Sequence, residues 1–106
     1  FLIFMQTRLH TVNKSPFQED ALMMCFGFVQ PGSDVLLIED GVYGALANAK
    51  FSAAVETAQG ACRIYALEPD LKARGIGTDH LISRIELVDY DGFVKLVAAN
   101  PVVQAW

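Results

Sequence analysis

Two cysteines, two histidines and a few carboxylates that follow apolar runs are the side chains of this 106-residue sequence best placed to do chemistry. A cysteine attacks only as its thiolate, which is favoured at a helix N-terminus or beside a cation. Cys25 falls within the apolar stretch 21–29, and no basic residue stands between Lys14 and Lys50. It also lies well past the start of the helix predicted below, beyond the first turn where the helix dipole acts. Taken alone, Cys25 reads as a small buried hydrophobe, with a reactive thiol as the alternative. Cys62, at the start of a predicted strand, reads as structural. His10 sits inside an apolar strand, where a buried, hydrogen-bonded ring is favoured over an acid–base catalyst because no partner is visible. His80 reads as a solvated loop residue. Asp40 and Asp89 follow predicted strands and suit helix capping; for both, contact with a ligand or partner is the alternative.

Several other chemistries lack the patterns they need. Neither Cys-x-x-Cys nor a His/Cys/carboxylate spacing that holds zinc occurs, so no metal is expected. Gly75-Ile76-Gly77 follows a short helix rather than a first strand, and there is no P-loop, so no nucleotide cofactor is expected. A phosphoacceptor receiver domain needs an Asp at the end of its third strand, where this chain has Leu67. With 12 acidic and 8 basic side chains, a formal net charge of −4, there is no basic cluster to displace counterions from a nucleic acid. Two cysteines do not make a disulfide framework, which points to a reduced, cytoplasmic protein. A membrane span needs about 20 apolar residues, far more than the run 21–29 supplies. Phe1-Leu2-Ile3-Phe4-Met5 is too short for the core of a signal peptide and has no basic residue before it. Residues 1–8 are read as an extension outside the native fold, with Met5 a candidate initiator, and 9–106 as a single domain.

The elements that must position these side chains alternate between apolar runs and helical patterns, the signature of βαβ units. A first strand is predicted over 9–13. A first helix opens at Ser15-Pro16-Phe17-Gln18, where Ser caps, Gln reaches back and Pro takes the first helical position. It runs to Val29 and stops at Pro31-Gly32. A second strand over 34–39 carries an unbroken Val-Leu-Leu-Ile core suited to burial on both faces. Helical stretches follow over 40–47 and 51–57, then a third strand over 62–67. A short helix runs from Pro69 to Gly75, a residue favoured just past helix ends. A fourth strand over 85–89 leads, with Asp89 as cap, into a last helix ending before Asn100-Pro101. The expected fold is therefore α/β: a small, doubly wound, mostly parallel sheet of about four strands with helices on both faces. In such sheets the functional crevice lies beyond the carboxyl ends of the strands. That edge holds Asn13-Lys14-Ser15, Glu39-Asp40-Gly41, Leu67-Glu68-Pro69-Asp70 and Asp89-Tyr90.

Composition adds a demand for partners. Hydrophobic residues make up 53% of the chain and charged ones 19%, against about 25% charged in ordinary domains. Disorder is excluded by the first figure, and a second domain by the length. A monomer this small buries only about two-thirds of its unfolded surface, so the apolar surplus calls for association. It is concentrated in the first helix, where every residue from 21 to 29 is apolar or Gly. A helix packed on one side keeps a polar back; this one has none and needs cover on nearly every side.

At these residues the chain resembles the DsrH/TusB family. The resemblance is carried by Leu9-His10-Thr11-Val12-Asn13-Lys14-Ser15-Pro16-Phe17, Glu39-Asp40-Gly41-Val42-Tyr43 and Asp70-Leu71-Lys72-Ala73-Arg74-Gly75. It continues in Val88-Asp89-Tyr90, Gly92-Phe93-Val94 and the terminal Gln104-Ala105-Trp106, in order along the chain. The resemblance implies a DsrE/DsrF-like fold and a subunit of a cytoplasmic heterohexamer, two copies each of three related chains. The sister chains would be DsrE/TusD-like and DsrF/TusC-like. Such complexes pass persulfide sulfur from a TusA-like donor to a DsrC/TusE-like acceptor. One branch serves dissimilatory sulfur oxidation and the other 2-thiolation of the tRNA wobble uridine. The principal persulfide cysteine belongs to the DsrE/TusD-type sister; the corresponding place here is near Leu67, ahead of Arg74-Gly75, so this chain is expected to be an accessory subunit of the sulfurtransferase. Cys25 matches a cysteine of DsrH-type members. This favours a DsrH-type subunit in sulfur oxidation, architectural in the main, with Cys25 as an accessory catalytic thiol. The alternatives are a TusB-type subunit in tRNA thiolation, or a purely non-catalytic interaction subunit in which Cys25 only packs.

Overall fold

The computed structural model describes residues 8–106. Five parallel strands form one sheet: β1 (Arg8–Val12), β2 (Asp34–Leu37), β3 (Arg63–Leu67), β4 (Glu86–Val88) and β5 (Val102–Ala105), in the order β4-β3-β2-β1-β5. Between them lie α1 (Ala21–Phe28), α2 (Ser52–Ala58), α3 (Glu68–Ala73) and α4 (Tyr90–Ala99), with 3-10 turns at Glu39–Ala45 and Thr78–His80. From β1 to β4 the chain steps one way across the sheet, and β-crossovers are right-handed. Their helices therefore share a face: Leu22 of α1, Val55 of α2 and Leu71 of α3 pack with Val12, Val35, Leu37, Ile64 and Ala66. The return from β4 to β5 runs the opposite way and puts α4 on the other face, where Phe93 and Leu96 cover Leu9, Leu36 and Tyr65. The expected α/β fold with helices on both faces is found, divided three helices to one.

The sheet has five strands where four were expected. Asn100 ends α4, and the β-branched Val102-Val103 then pairs with β1, Leu9 opposite Val103 and Thr11 opposite Ala105. Without it β1 would present a bare row of unpaired backbone groups. The proposed boundary of an N-terminal extension at residue 8 moves as well. Arg8 opens β1 opposite Val102, while residues 1–7, and the reading of Met5 as initiator with them, lie outside the described residues.

The first helix starts later than its capping signals suggest. Ser15 does cap, but a turn: its Oγ accepts from the Phe17 amide at 3.2 Å and its carbonyl from Gln18 and Glu19 at 3.1 and 3.0 Å. The turn delivers the Phe17 ring edge-on to Phe51, centroids 5.0 Å apart, and to Tyr43 at 6.4 Å. This tertiary contact overrides the local helix signal, and α1 is left with eight residues. So short a helix is not stable alone; it is held by Leu22 and Cys25, both fully buried on the sheet.

Candidate functional site

Strand β3 hands its chain to α3 on one face and β4 hands its chain to α4 on the other, so the crevice opens between their carboxyl ends. Leu67, 3% exposed, and Asp89 border it. Leu67 is inert, and Asp89 caps α4 as expected, its Oδ1 accepting from the Gly92 amide at 2.8 Å. Asp40, read as a cap, instead accepts from Arg74 through Nε at 3.0 Å and Nη2 at 2.9 Å. Arg74 also donates to the Asp70 carbonyl at 3.1 Å, and the Asp70 carboxylate accepts from the Glu39 amide at 2.6 Å. Glu39 is left-handed, φ 51°; its amide bond to Asp70 holds that conformation. Gly41 then passes so close to β1 that a Cβ there would lie 1.9 Å from the Val12 carbonyl oxygen. The edge is thus a structural corner in which the carboxylates of Asp40, Asp70 and Asp89 are occupied.

The thiols lie elsewhere and are sheltered. Cys25 is 0% exposed beneath α1, and burial, reinforced by the nearby Cys62, pushes its thiol up to about 12. Cys62 is 6% exposed at the amino end of β3, donates to the Ala58 carbonyl at 3.3 Å and is pushed up to about 11 by burial and by Asp34. Since reactivity follows thiolate content, neither is poised as a nucleophile in the free chain. α1 begins at Ala21, which brings Cys25 nearer the N-terminus than the sequence suggested, yet still past the first turn. Two open grooves of about 530 and 370 Å³ flank Cys62 and Arg63 at the opposite edge of the sheet from the crevice.

The histidines divide as expected. His80 is exposed beside Asp79, 3.8 Å away. His10 is 0% exposed, and its partner, invisible in the sequence, comes from the far end of the chain: Trp106 donates its indole N–H to Nδ1 at 3.0 Å. The β-branched Val102-Val103 that opens the tail was the signal for the missing strand and hence for this bond.

The described surface is rich in exposed apolar side chains. On α1, Met23, Met24 and Phe28 are 46%, 57% and 65% exposed. Phe28 stacks on Trp106 with centroids 5.4 Å apart, and Phe17 is exposed at the approach to the helix. On the opposite layer Tyr90, Val94 and Val97 of α4 and Val103 of β5 are exposed too. Contiguous apolar area of this kind marks interaction surfaces. Among the described residues no group of three or more His, Cys, Asp or Glu could hold a metal, and no helix is long and apolar enough to cross a membrane.

Comparison with known proteins agrees with this picture. Protein TusB of Escherichia coli K12 is 34% identical over 98 residues, covering 92% of this chain and 99% of that protein. Protein TusB of Pectobacterium parmentieri is 35% identical over the same share. Among solved structures, the YchN protein of E. coli superposes with a TM-score of 0.80 at 18% identity, covering 96% of this chain and all of that one. A protein of unknown function from Methanobacterium thermoautotrophicum, MTH1491, superposes at 0.72 with 14% identity, over 92% of this chain and 96% of its own. These two show a shared fold. The family model described as "DsrH like protein" matches residues 14–103, and with these relatives it establishes that the chain belongs to the DsrH-like protein family.

Proposed function

We propose that this chain is a TusB-type subunit of a cytoplasmic sulfur-relay complex, serving assembly and docking while a sister chain carries the principal persulfide. The observation that carries the reading is the pairing, on α1, of an exposed Met23/Met24/Phe28 face with a fully buried Cys25. A subunit whose own thiol is sheltered, and whose crevice holds Leu67, contributes surface rather than a nucleophile. That relatives at 34–35% identity are named TusB favours the tRNA-thiolation branch over the sulfur-oxidation branch suggested by the mere presence of Cys25. In this reading Cys25 fills the space between α1 and the sheet, and sulfur reaches it only if α1 lifts.

The test is reconstitution. Co-expressed with DsrE/TusD-like and DsrF/TusC-like sisters, the chain should purify as one complex. After loading with a persulfide donor, mass spectrometry should place the sulfur on the sister cysteine, and Cys25→Ser should leave transfer to a TusE-like acceptor unchanged. Restoration of 2-thiouridine in a bacterium lacking TusB supports the thiolation branch. Heavy persulfide labelling of Cys25, with transfer slowed by its substitution, restores it as a catalytic thiol. A lone chain that stays monomeric and ignores the sisters overturns the subunit reading.

A further inference from the structure

The tie between His10 and Trp106 has a chemistry of its own, independent of any partner or of sulfur transfer. An indole N–H can only donate, so the 3.0 Å bond from Trp106 requires Nδ1 of His10 to be an unprotonated acceptor. The neutral ring then carries its proton on Nε2, a fully buried atom with no hydrogen-bond partner among the described residues. His10 alternates with Leu9 and therefore faces the α1 side of the sheet, as Val12 and Trp106 do. Trp106 is tied at three points: its indole to His10, its amide to the Thr11 carbonyl at 2.8 Å, and its ring against Phe28 at 5.4 Å. One buried imidazole is thus linked through Trp106 to the exposed face of α1.

We propose that Trp106 is a latch closed by neutral His10 and released when His10 takes up a proton in acid, so that the tail leaves β1 and Phe28 loses its aromatic cover. Protonation places a second N–H at Nδ1, facing the indole N–H. The acceptor is lost, two donors meet, and a cation is left in an apolar site. Among the described side chains none favours that cation. Arg8, two residues earlier on β1, opposes it, and burial opposes it more. α1 and β5 contribute no charged side chain, and the one acid of β2, Asp34, stands at the amino end of its strand, opposite Leu9, and accepts from Asn100 Nδ2. Relief comes only by opening the site to water, and β5, paired on one side alone among the described strands, is the element free to move.

Trp106 is the single tryptophan, so its fluorescence reports the latch directly. In the full chain, lowering the pH should move its emission to the red and open it to acrylamide quenching, with a midpoint below 6.5 and with far-ultraviolet dichroism retained. His10→Asn keeps an acceptor near Nδ1 but cannot titrate, and should abolish the transition. Should that variant fail to fold, NMR of the wild type decides. The indole N–H should lose its exchange protection at the pH where the His10 ring titrates, and Trp106→Phe should raise that titration toward the ordinary histidine value. The latch is overturned if the indole N–H stays protected after His10 is charged, if the His10→Asn protein shows the same transition, or if global unfolding comes first.

Discussion

Gly41, Cys25 and His10 show how much single residues decide. A methyl group at Gly41 would collide with backbone rather than with a yielding side chain. Gly41→Ala should therefore cost about 3 kcal/mol or more, read as a lower urea midpoint with an unchanged slope. Cys25 should resist alkylation: with a thiol at about 12 instead of the ordinary 9.0, its thiolate at pH 8 falls by about a thousandfold. Iodoacetamide should label it slowly in the folded chain and at normal speed in denaturant; fast labelling without denaturant would refute the sheltered site. His10 imposes a pH dependence with a definite sign. Burial and Arg8 lower its folded value below 6.5, so folding favours the neutral ring. The stability this gives is complete above 6.5 and falls as the pH drops, at up to about 1.4 kcal/mol per pH unit, until the lowered folded value is reached. Denaturant titrations from pH 7.5 to 5 should show that fall in the wild type and lack it in His10→Asn. The lack of an activating cation near Cys25 along the chain was legible in the sequence, but the completeness of its burial under α1 was not; nor was the partner of His10, which lies 96 residues off.

Among the elements, α1 carries the functional argument and α4 complements it. The outer side chains of α1 touch solvent, so Met24→Lys should leave the thermal midpoint of the isolated chain nearly unchanged, as exposed substitutions generally do, while Phe28→Lys also loses the ring contact with Trp106 and should lower it modestly. The same changes should dissociate the reconstituted complex on size-exclusion chromatography. Val94→Lys on α4, 67% exposed on the other layer, is the companion test: loss of a different sister would show that the two layers face two neighbours. An intact complex with all three variants would mean that neither face is an interface. Asp89→Ala removes the cap of α4 and should cost about 1 kcal/mol without touching assembly. The helices at 52–58 and 68–73 were legible because Gly60 and Gly75 punctuate them and Pro69 opens the second. The start of α1 was not, because a Ser-Pro turn and a helix cap share the same local chemistry, and only the docking of Phe17 on Phe51 distinguishes them.

At the scale of the whole molecule, the apolar surplus is divided between two opposite layers rather than gathered on one helix. A sheet with three helices on one side and one on the other buries its centre well, with β2 fully enclosed from Val35 to Leu37. Its outer helical surfaces stay apolar at α1, and at α4 the exposed Tyr90, Val94 and Val97 alternate with Asp91 and Lys95. The sequence by itself determined the α/β class, the parallel pairing of the first four strands, the corner carboxylates and the surplus of apolar side chains. Those features rest on local periodicity, turn residues and composition, which act over a few residues and survive without the rest of the chain. Only the tertiary structure decided the fifth strand, the later start of α1, the pairing of Asp40 with Arg74, and the bond from Trp106 to His10. Each joins groups distant in sequence. Their geometry exists only after the strands have taken their order, because a hydrogen bond or a ring contact depends on position within a few tenths of an ångström, whereas an apolar pattern depends only on which side of an element a residue falls.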